Sequence, residues 1–283
     1  DNGHISFGIT IPAQFTRQFI RGENPQLLVD IDGSDPGSSA SALGSIQPIL
    51  EASIAQFTKQ GLTPLPAFNR TVNLTIHRLY NESNNSAFDI IPGLIGVLLT
   101  TTMVMLTSTA ITSEFEAGSM ELLLSTPLSP TEIILGKVIP YITLGYLQLT
   151  SILVFGFLLI HLPCEGSLFL LYLTAAPFIV ANLMIGMIFS TLASTPMQAM
   201  QLSVFFQLPS IFLSGYVFSF YGMPTWAQTL GACLPMTYFI RITRGIMLKG
   251  NEWAQIGPNL WPILVIAGGL ILLTKVVFRR TLD

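Results

Sequence analysis

The chain has 283 residues, 51% of them hydrophobic and only 10% charged, with a formal net charge of −3 and a mean hydropathy of +0.63. Soluble domains carry about 25% charged residues, so there is too little charge here to cover an ordinary water-facing surface. The sequence has no basic run, which argues against a nucleic-acid partner, and two cysteines, Cys164 and Cys233, do not make a disulfide framework.

Residues 1–87 differ in kind from the rest. His4–Ile11 alternates like a strand, and Pro12 opens a short helical piece ending near Gly22. Gln26–Ile31 reads as a second strand, closed by the turn signal Asp32-Gly33-Ser34-Asp35-Pro36-Gly37. Ala40–Gln60 has helical spacing, with Leu43, Ile46, Leu50, Ile54 and Phe57 on one stripe and Pro48 placed to kink or split it. Val72–Tyr80 alternates again. A small α+β domain, polar enough to sit in water, is expected. The chain does not begin with Met and opens as though inside a domain, so it is expected to be a fragment lacking its amino-terminal part.

From residue 88 onward long stretches hold no Asp, Glu, Lys, Arg or His: Ile90–Ser113, Val138–Ile160, Gly166–Ile240 and Trp253–Thr274. About 20 apolar residues cross the hydrocarbon layer as a helix. Five spans are therefore expected, at about 90–112, 138–161, 168–192, 199–220 and 258–278, with the longest charge-free stretch holding two. Lys275, Arg279 and Arg280 beyond the last span favour a cytoplasmic carboxy end. With Lys137 they give four inside cations against three outside, Arg241, Arg244 and Lys249. That orientation places the 1–87 domain outside the cytoplasm, where a preceding span would have to anchor it.

Two connections are informative. In the first, residues 113–137, helical geometry puts Glu114 and Glu121 on one face and Phe115 and Leu122 on a neighbouring one. Thr126-Pro127 stops that helix, and Ser129-Pro130-Thr131-Glu132 starts another with the form of a capping box. This is either a rigid elbow offering one side to a protein partner or an amphipathic connector tiling the interface. The second, Phe220–Pro258, is too long for a turn and too apolar for a free loop. It fits a helical hairpin dipping partway into the membrane, or an amphipathic helix lying flat with aromatic anchors.

Polar and aromatic residues inside the spans are candidates for a transport path: Gln201, Phe205, Phe206, Gln207 and Phe212 on the fourth span and Asn182 on the third. Phenylalanine in a span ordinarily packs or faces lipid, whereas an amide in hydrocarbon wants a partner. No phosphate-cradling G-x-x-x-x-G-K-[ST] loop occurs: Gly136-Lys137 is followed by Val138 and has Thr131 five residues before it. The three histidines, His4, His77 and His161, lack metal-ligand spacing, which counts against an intramembrane enzyme. The span interiors lack the ionisable groups that ion-coupled transporters keep there. Four N-x-[ST] sequons, at Asn69, Asn73, Asn81 and Asn84, read as chance in a polar segment. Cys164 and Cys233 both fall outside in this topology, either bridged or as separate apolar thiols.

With these motifs in view, the whole chain, in order, resembles the permease subunits of type-2 ABC exporters, in the branch with a large extracytoplasmic domain after the first span and a multidrug-export role. Residues 114–127 are similar to that family's cytoplasmic segment E-R-E-x-G-T-x-E-x-L-L-x-[ST]-P. Leu213-Ser214-Gly215 to Met223-Pro224 and Leu234–Phe239 with Arg244-Gly245 resemble its LSG…MP and N-P-x-x-[YH]-F…R-G stretches. Ile11-Pro12-Ala13-Gln14-Phe15 and Asp32-Gly33-Ser34 are similar to patches of its outer domain. Phe115 stands where the family usually has Arg, Leu234 where it has Asn, and Glu82 where Pro is common.

The resemblance implies an α-helical integral membrane fold with five of six spans present. It implies an ABC ATPase subunit docking at Glu114, Phe115, Glu116, Gly118, Glu121 and Pro127. ATP and Mg would be bound by that subunit, with no cofactor in this chain. It further implies a second permease half, identical or paralogous, surrounding lipid and an inner-membrane location, with the outer domain as the place where a periplasmic adaptor, if one completes the route, would dock. The substrates implied are amphipathic drugs, lipid-like or other hydrophobic molecules; the alternatives are export of a polysaccharide or lipid envelope precursor, or, apart from the resemblance, an ion-coupled secondary transporter.

Overall fold

The computed structural model describes residues 7–21, 25–32, 44–53, 56, 73–79, 86–118, 130–162 and 164–282. The chain forms two compact units, residues 1–89 and 90–283.

The first unit is built on a three-stranded sheet in the order β1 (Phe7–Thr10), β2 (Gln26–Asp32), β3 (Asn73–Leu79). β1 pairs antiparallel to β2 with Ile9 opposite Val29, and β3 pairs parallel to β2 with His77 opposite Asp30. A parallel pair needs a long crossover, and the segment between β2 and β3 carries the helix α2 over 44–53. That helix runs through Pro48 unbroken. Alternation along β2 turns Leu27, Val29 and Ile31 to one face, where they form a core with Ile46 of α2. Phe15 of α1 (Phe15–Arg21) packs against it. On the other face the imidazole of His77 lies 3.1 Å from the Asp30 carboxylate. The strands fall where alternation placed them; Leu43, Ile54, Phe57 and the turn at 33–37 lie outside the described residues.

The second unit is helical: α3 (Ser86–Ser108), α4 (Thr112–Glu116), α5 (Pro130–Ile160), α6 (Leu168–Leu192), α7 (Pro196–Leu213), a 3-10 turn (Phe220–Gly222), α8 (Thr225–Ala232), α9 (Pro235–Lys249) and α10 (Trp253–Leu282). Among the described residues, four stretches are long and apolar enough to cross a membrane: Ile90–Glu116, Ile134–Ile160, Leu168–Leu192 and Trp253–Val277. Five were expected. The remaining one, α7, has 18 residues and spans about 27 Å, short of the roughly 30 Å hydrocarbon layer. Gln198, Gln201 and Gln207 dilute its apolar surface, and it ends at Leu213, where Gly215 turns the chain with a φ of +86°. The helix restart at Pro130 and the second expected span are one continuous helix of 31 residues.

α6 is the central helix. It is buried along its length and packs against α5, α7, α9 and α10. α3 also meets it closely. A Cβ at Gly186 would lie 2.6 Å from the carbonyl oxygen of Val104 and 2.0 Å from Oγ1 of Thr107, so only glycine lets the two backbones approach this far. The outer helices α5 and α10 keep broad apolar faces open, including Leu147, Phe155, Leu158 and Leu159 on α5 and Trp261 and Leu272 on α10. Apolar surface of this extent is what a lipid-facing helix presents.

Candidate functional site

The connection that leaves α3 makes a sharp corner. After Ser108 the chain turns through Thr109–Ile111, with the amide of Ala110 donating to the carbonyl of Thr107 at 3.1 Å, and enters the one-turn helix α4. Such a helix leaves its first amides without intrahelical acceptors, and Ile111 at its N-cap has no side chain to supply one. Ser190 of α6 supplies it instead. Its Oγ accepts from the amides of Ile111 at 2.9 Å and Thr112 at 3.3 Å. The exit is shaped by Gly118, whose φ of +70° is the left-handed conformation that commonly closes a helix. Its amide donates to the carbonyl of Phe115 at 3.2 Å.

A second support comes from α5. The ammonium of Lys137 donates to the carbonyl of Ala110 at 3.0 Å and pairs with the carboxylate of Glu114. The Lys137 side chain is 13% exposed and that of Glu114 is 31% exposed, so the pair is part-sheltered and faces the bundle. Phe115, 46% exposed, and Glu116 lie open. The expected partner face is thus divided: Glu114 holds the corner from within, while Phe115 and Glu116 are presented outward. Glu121 and Pro127, and with them the face that Glu114 was expected to share with Glu121, lie outside the described residues.

Sequence reasoning passes over Ser190 and uses Lys137 only as a topology marker and in excluding a phosphate-cradling loop. Lys137 did carry a signal, being the only Lys or Arg between Arg78 and Arg241. Ser190 carried none, since its partners are backbone amides 79 and 78 residues earlier.

The expected path residues separate into two places. Gln201, Phe205 and Phe212 follow one another at helical spacing on the exposed side of α7, with Phe205 73% exposed. Gln207 lies on another side, half-buried, its Nε2 without a hydrogen-bond partner among the described residues. Phe206 packs edge-on to Phe189 with ring centres 5.7 Å apart. Asn182 is fully buried in α6, its Nδ2 donating to the carbonyl of Phe178 at 2.9 Å and its Oδ1 without a partner among the described residues.

Past α7 the chain forms a compact hairpin. The hydroxyl of Thr237 donates to the carbonyl of Gly231 at 2.6 Å, and the phenol of Tyr238 to that of Ala232 at 2.9 Å, folding α9 back on α8. α9 is then enclosed by protein. Phe239 stacks on Phe178 of α6 at 3.9 Å, the hydroxyl of Thr243 donates to the carbonyl of Pro92 at 3.0 Å, and Arg244 donates to that of Gly215 at 3.3 Å. Arg241 lies over the rings of Phe220, Tyr221 and Tyr238 at 4.5, 5.6 and 5.8 Å, cation–π geometry that stabilises a guanidinium in apolar surroundings. Burial pushes the Tyr216 phenol up, and Arg244 beside it partly offsets this. No group of three or more His, Cys, Asp or Glu able to hold a metal occurs among the described residues.

Residues 1–275 match the family described as ABC-2 family transporter protein. The chain is 30% identical over 272 residues to the probable multidrug ABC transporter permease YbhR of Escherichia coli K12, covering 96% of this chain and 73% of that protein. It is 29% identical over 284 residues to the probable multidrug ABC transporter permease YbhS of the same strain, covering 99% and 74%. The inner membrane transport permease YhhJ of Escherichia coli K12 is 27% identical over 289 residues, covering 100% and 75%.

Proposed function

Because this chain belongs to the ABC-2 family of transporter proteins, as a permease component, we propose that it exports its substrate with energy from a separate ABC ATPase subunit docked on the α3–α4 corner. The observation that carries this reading is the corner's construction. A five-residue helix with an exposed Phe115 and Glu116 is braced from behind by Ser190 and Lys137. A segment fixed from within and open outward is suited to receive a push. Phe115, Glu116 and Gly118, continued by Glu121 and Pro127, form the docking face, and ATP and its Mg ion reside in the partner. That face lies in the cytoplasm with the carboxy end, and residues 1–87 lie in the periplasm, where an adaptor docks.

The substrates are amphipathic drugs or lipid-like molecules, a reading supported by the names of the YbhR and YbhS relatives. Two permease halves enclose the path. Gln201, Phe205 and Phe212 on the open side of α7 face it, with Gln207 and Asn182 in the wall behind. Residues 221–257 form a re-entrant hairpin at the outer end, a reading supported by the enclosure of α9.

Co-purification of the full chain with its ATPase tests the docking face. A Phe115→Asp/Glu116→Lys variant is expected to fold as the wild type does and to lose the ATPase. Retention of the ATPase by that variant would overturn the assignment. Uphill transport by the chain alone in nucleotide-free liposomes would overturn the ATP-driven mechanism itself.

A further inference from the structure

We infer that Lys137 and Ser190 are positioning residues that latch the α3–α4 corner to α5 and α6, so that a push on α4 tilts those helices instead of bending the turn. The inference rests on the reading that an ATPase docks at this corner. Nothing in the geometry of α4 alone would carry force. It is a single turn, and isolated turns of this length are marginal in water. Its stiffness comes from two other helices. Ser190 takes the two amides at its start, from α6. Lys137 takes the carbonyl of Ala110 and the carboxylate of Glu114, which lie on either side of the start of the helix, from α5. Donors and acceptors on both sides of the bend are therefore held by groups outside it.

The ion pair is not of the solvent-exposed kind whose worth is close to nothing. The ammonium is largely withdrawn from water, and such a cation is costly unless paired and hydrogen-bonded, so its two bonds at the corner are held together. The lever is long: α5 continues unbroken for 24 residues from Lys137 to Ile160, on the order of 35 Å. A small rotation at Lys137 is enlarged at the far end. A brace serving stability alone would lower the melting temperature when cut and leave motion per ATP unchanged. A latch would separate the two.

The test uses the full chain and its ATPase in nanodiscs, with Cys164 and Cys233 replaced by Ser and spin labels at Leu158→Cys and Trp261→Cys, both on exposed faces. Electron–electron distance measurements compare the nucleotide-free and ATP–vanadate states. K137M and S190A are expected to keep the ATPase and its hydrolysis rate. The nucleotide-driven shift at the labels falls about fivefold, the population effect of losing one partly sheltered charged contact. K137R, which still donates to both groups, restores it. S190A carries the test should K137M not accumulate. An undiminished shift in K137M, or equal loss in K137M and K137R, would overturn the latch while leaving the docking reading intact. Loss of ATPase binding in K137M would make Lys137 a docking residue and overturn it as well. A wild-type chain that neither retains an ATPase nor shifts with nucleotide would overturn both readings.

Discussion

Adding one methyl group at Gly186 should destabilise the helical unit, although the same change usually strengthens a helix. Alanine is favoured over glycine in a helix interior by roughly 1 kcal/mol. Here the new Cβ would lie 2.0 Å from Oγ1 of Thr107 and 2.6 Å from the carbonyl oxygen of Val104. Thr107 cannot simply swing away, since it is fully buried and its hydroxyl donates to the carbonyl of Met103 at 2.6 Å. The Val104 oxygen is backbone, so α3 itself must retreat from 2.6 Å to the 3.4 Å where ordinary contact begins, an opening of 0.8 Å. Overpacking of this kind costs about 1–3 kcal/mol, and the gap spreads to neighbours that lose dispersion contact. Set against the helix gain, Gly186→Ala loses about 0–2 kcal/mol net. Gly268→Ala on α10 is the control, because nothing lies within 4 Å of its added Cβ; it should gain up to about 1 kcal/mol. Melting in detergent, followed by size-exclusion recovery, should place Gly186→Ala several degrees below Gly268→Ala, at about 2–4 °C per kcal/mol. Equal melting temperatures, or a higher one for Gly186→Ala, would refute the close α3–α6 contact.

His161, just past α5, has a φ of 53°, and the next amide, of Leu162, bonds back to the carbonyl of Gly156 at 3.3 Å. His161→Gly should therefore raise the melting temperature, with a gain of about 0.5–1 kcal/mol from a left-handed site that glycine occupies without strain; a drop would contradict that backbone. Thr237→Val removes the 2.6 Å bond to the carbonyl of Gly231, which keeps the amide of Leu234 at 3.1 Å, and should cost about 0.5–1.5 kcal/mol, read as early melting or proteolytic nicking near the α8–α9 turn. Burial, with a smaller push from Glu165, raises the Cys164 thiol above its ordinary range, whereas Cys233 is exposed. At neutral pH maleimide should modify Cys233 first. Since a raised pKa leaves less thiolate until higher pH, labelling of Cys164 should keep rising above the ordinary thiol range. Faster labelling of Cys164 at neutral pH would count against this.

Where the sequence spoke plainly, it spoke through charge. The empty stretches from Ile90, Val138, Gly166 and Trp253 mark apolar helices because a titratable group in lipid is too costly to scatter at random. In the first unit, alternation along Gln26–Asp32 foretold β2 and its buried face, since a strand's side chains change sides at every residue. The limits of α7 were harder to read. Hydropathy runs on past Leu213 through Tyr216, Val217 and Phe218, and the turn at Gly215 depends on backbone torsion. The corner was legible in outline, as an acidic segment after a charge-free stretch, but the turn at Gly118 and the bracing were not. Glu114 and Lys137 are 23 residues apart with a proline-marked break between them, so no periodicity joins them. α9 was hidden for the opposite reason: its polar residues suggest a surface, yet its hydroxyls and guanidinium groups are met by carbonyls and aromatic rings of other segments.

That enclosure of α9 bears on how the molecule is made. A fifteen-residue helix carrying Arg241, Arg244 and Lys249 is too short and too charged to enter lipid unaided when it leaves the ribosome. Its neighbours are α6, synthesised well before it, and α10, synthesised after it. α9 must therefore wait, unsheltered, until α10 is threaded and closes over it. The most vulnerable moment of biogenesis then lies between the synthesis of α9 and that of α10, and a nascent chain stalled before Trp253 would be the form that quality-control proteases meet.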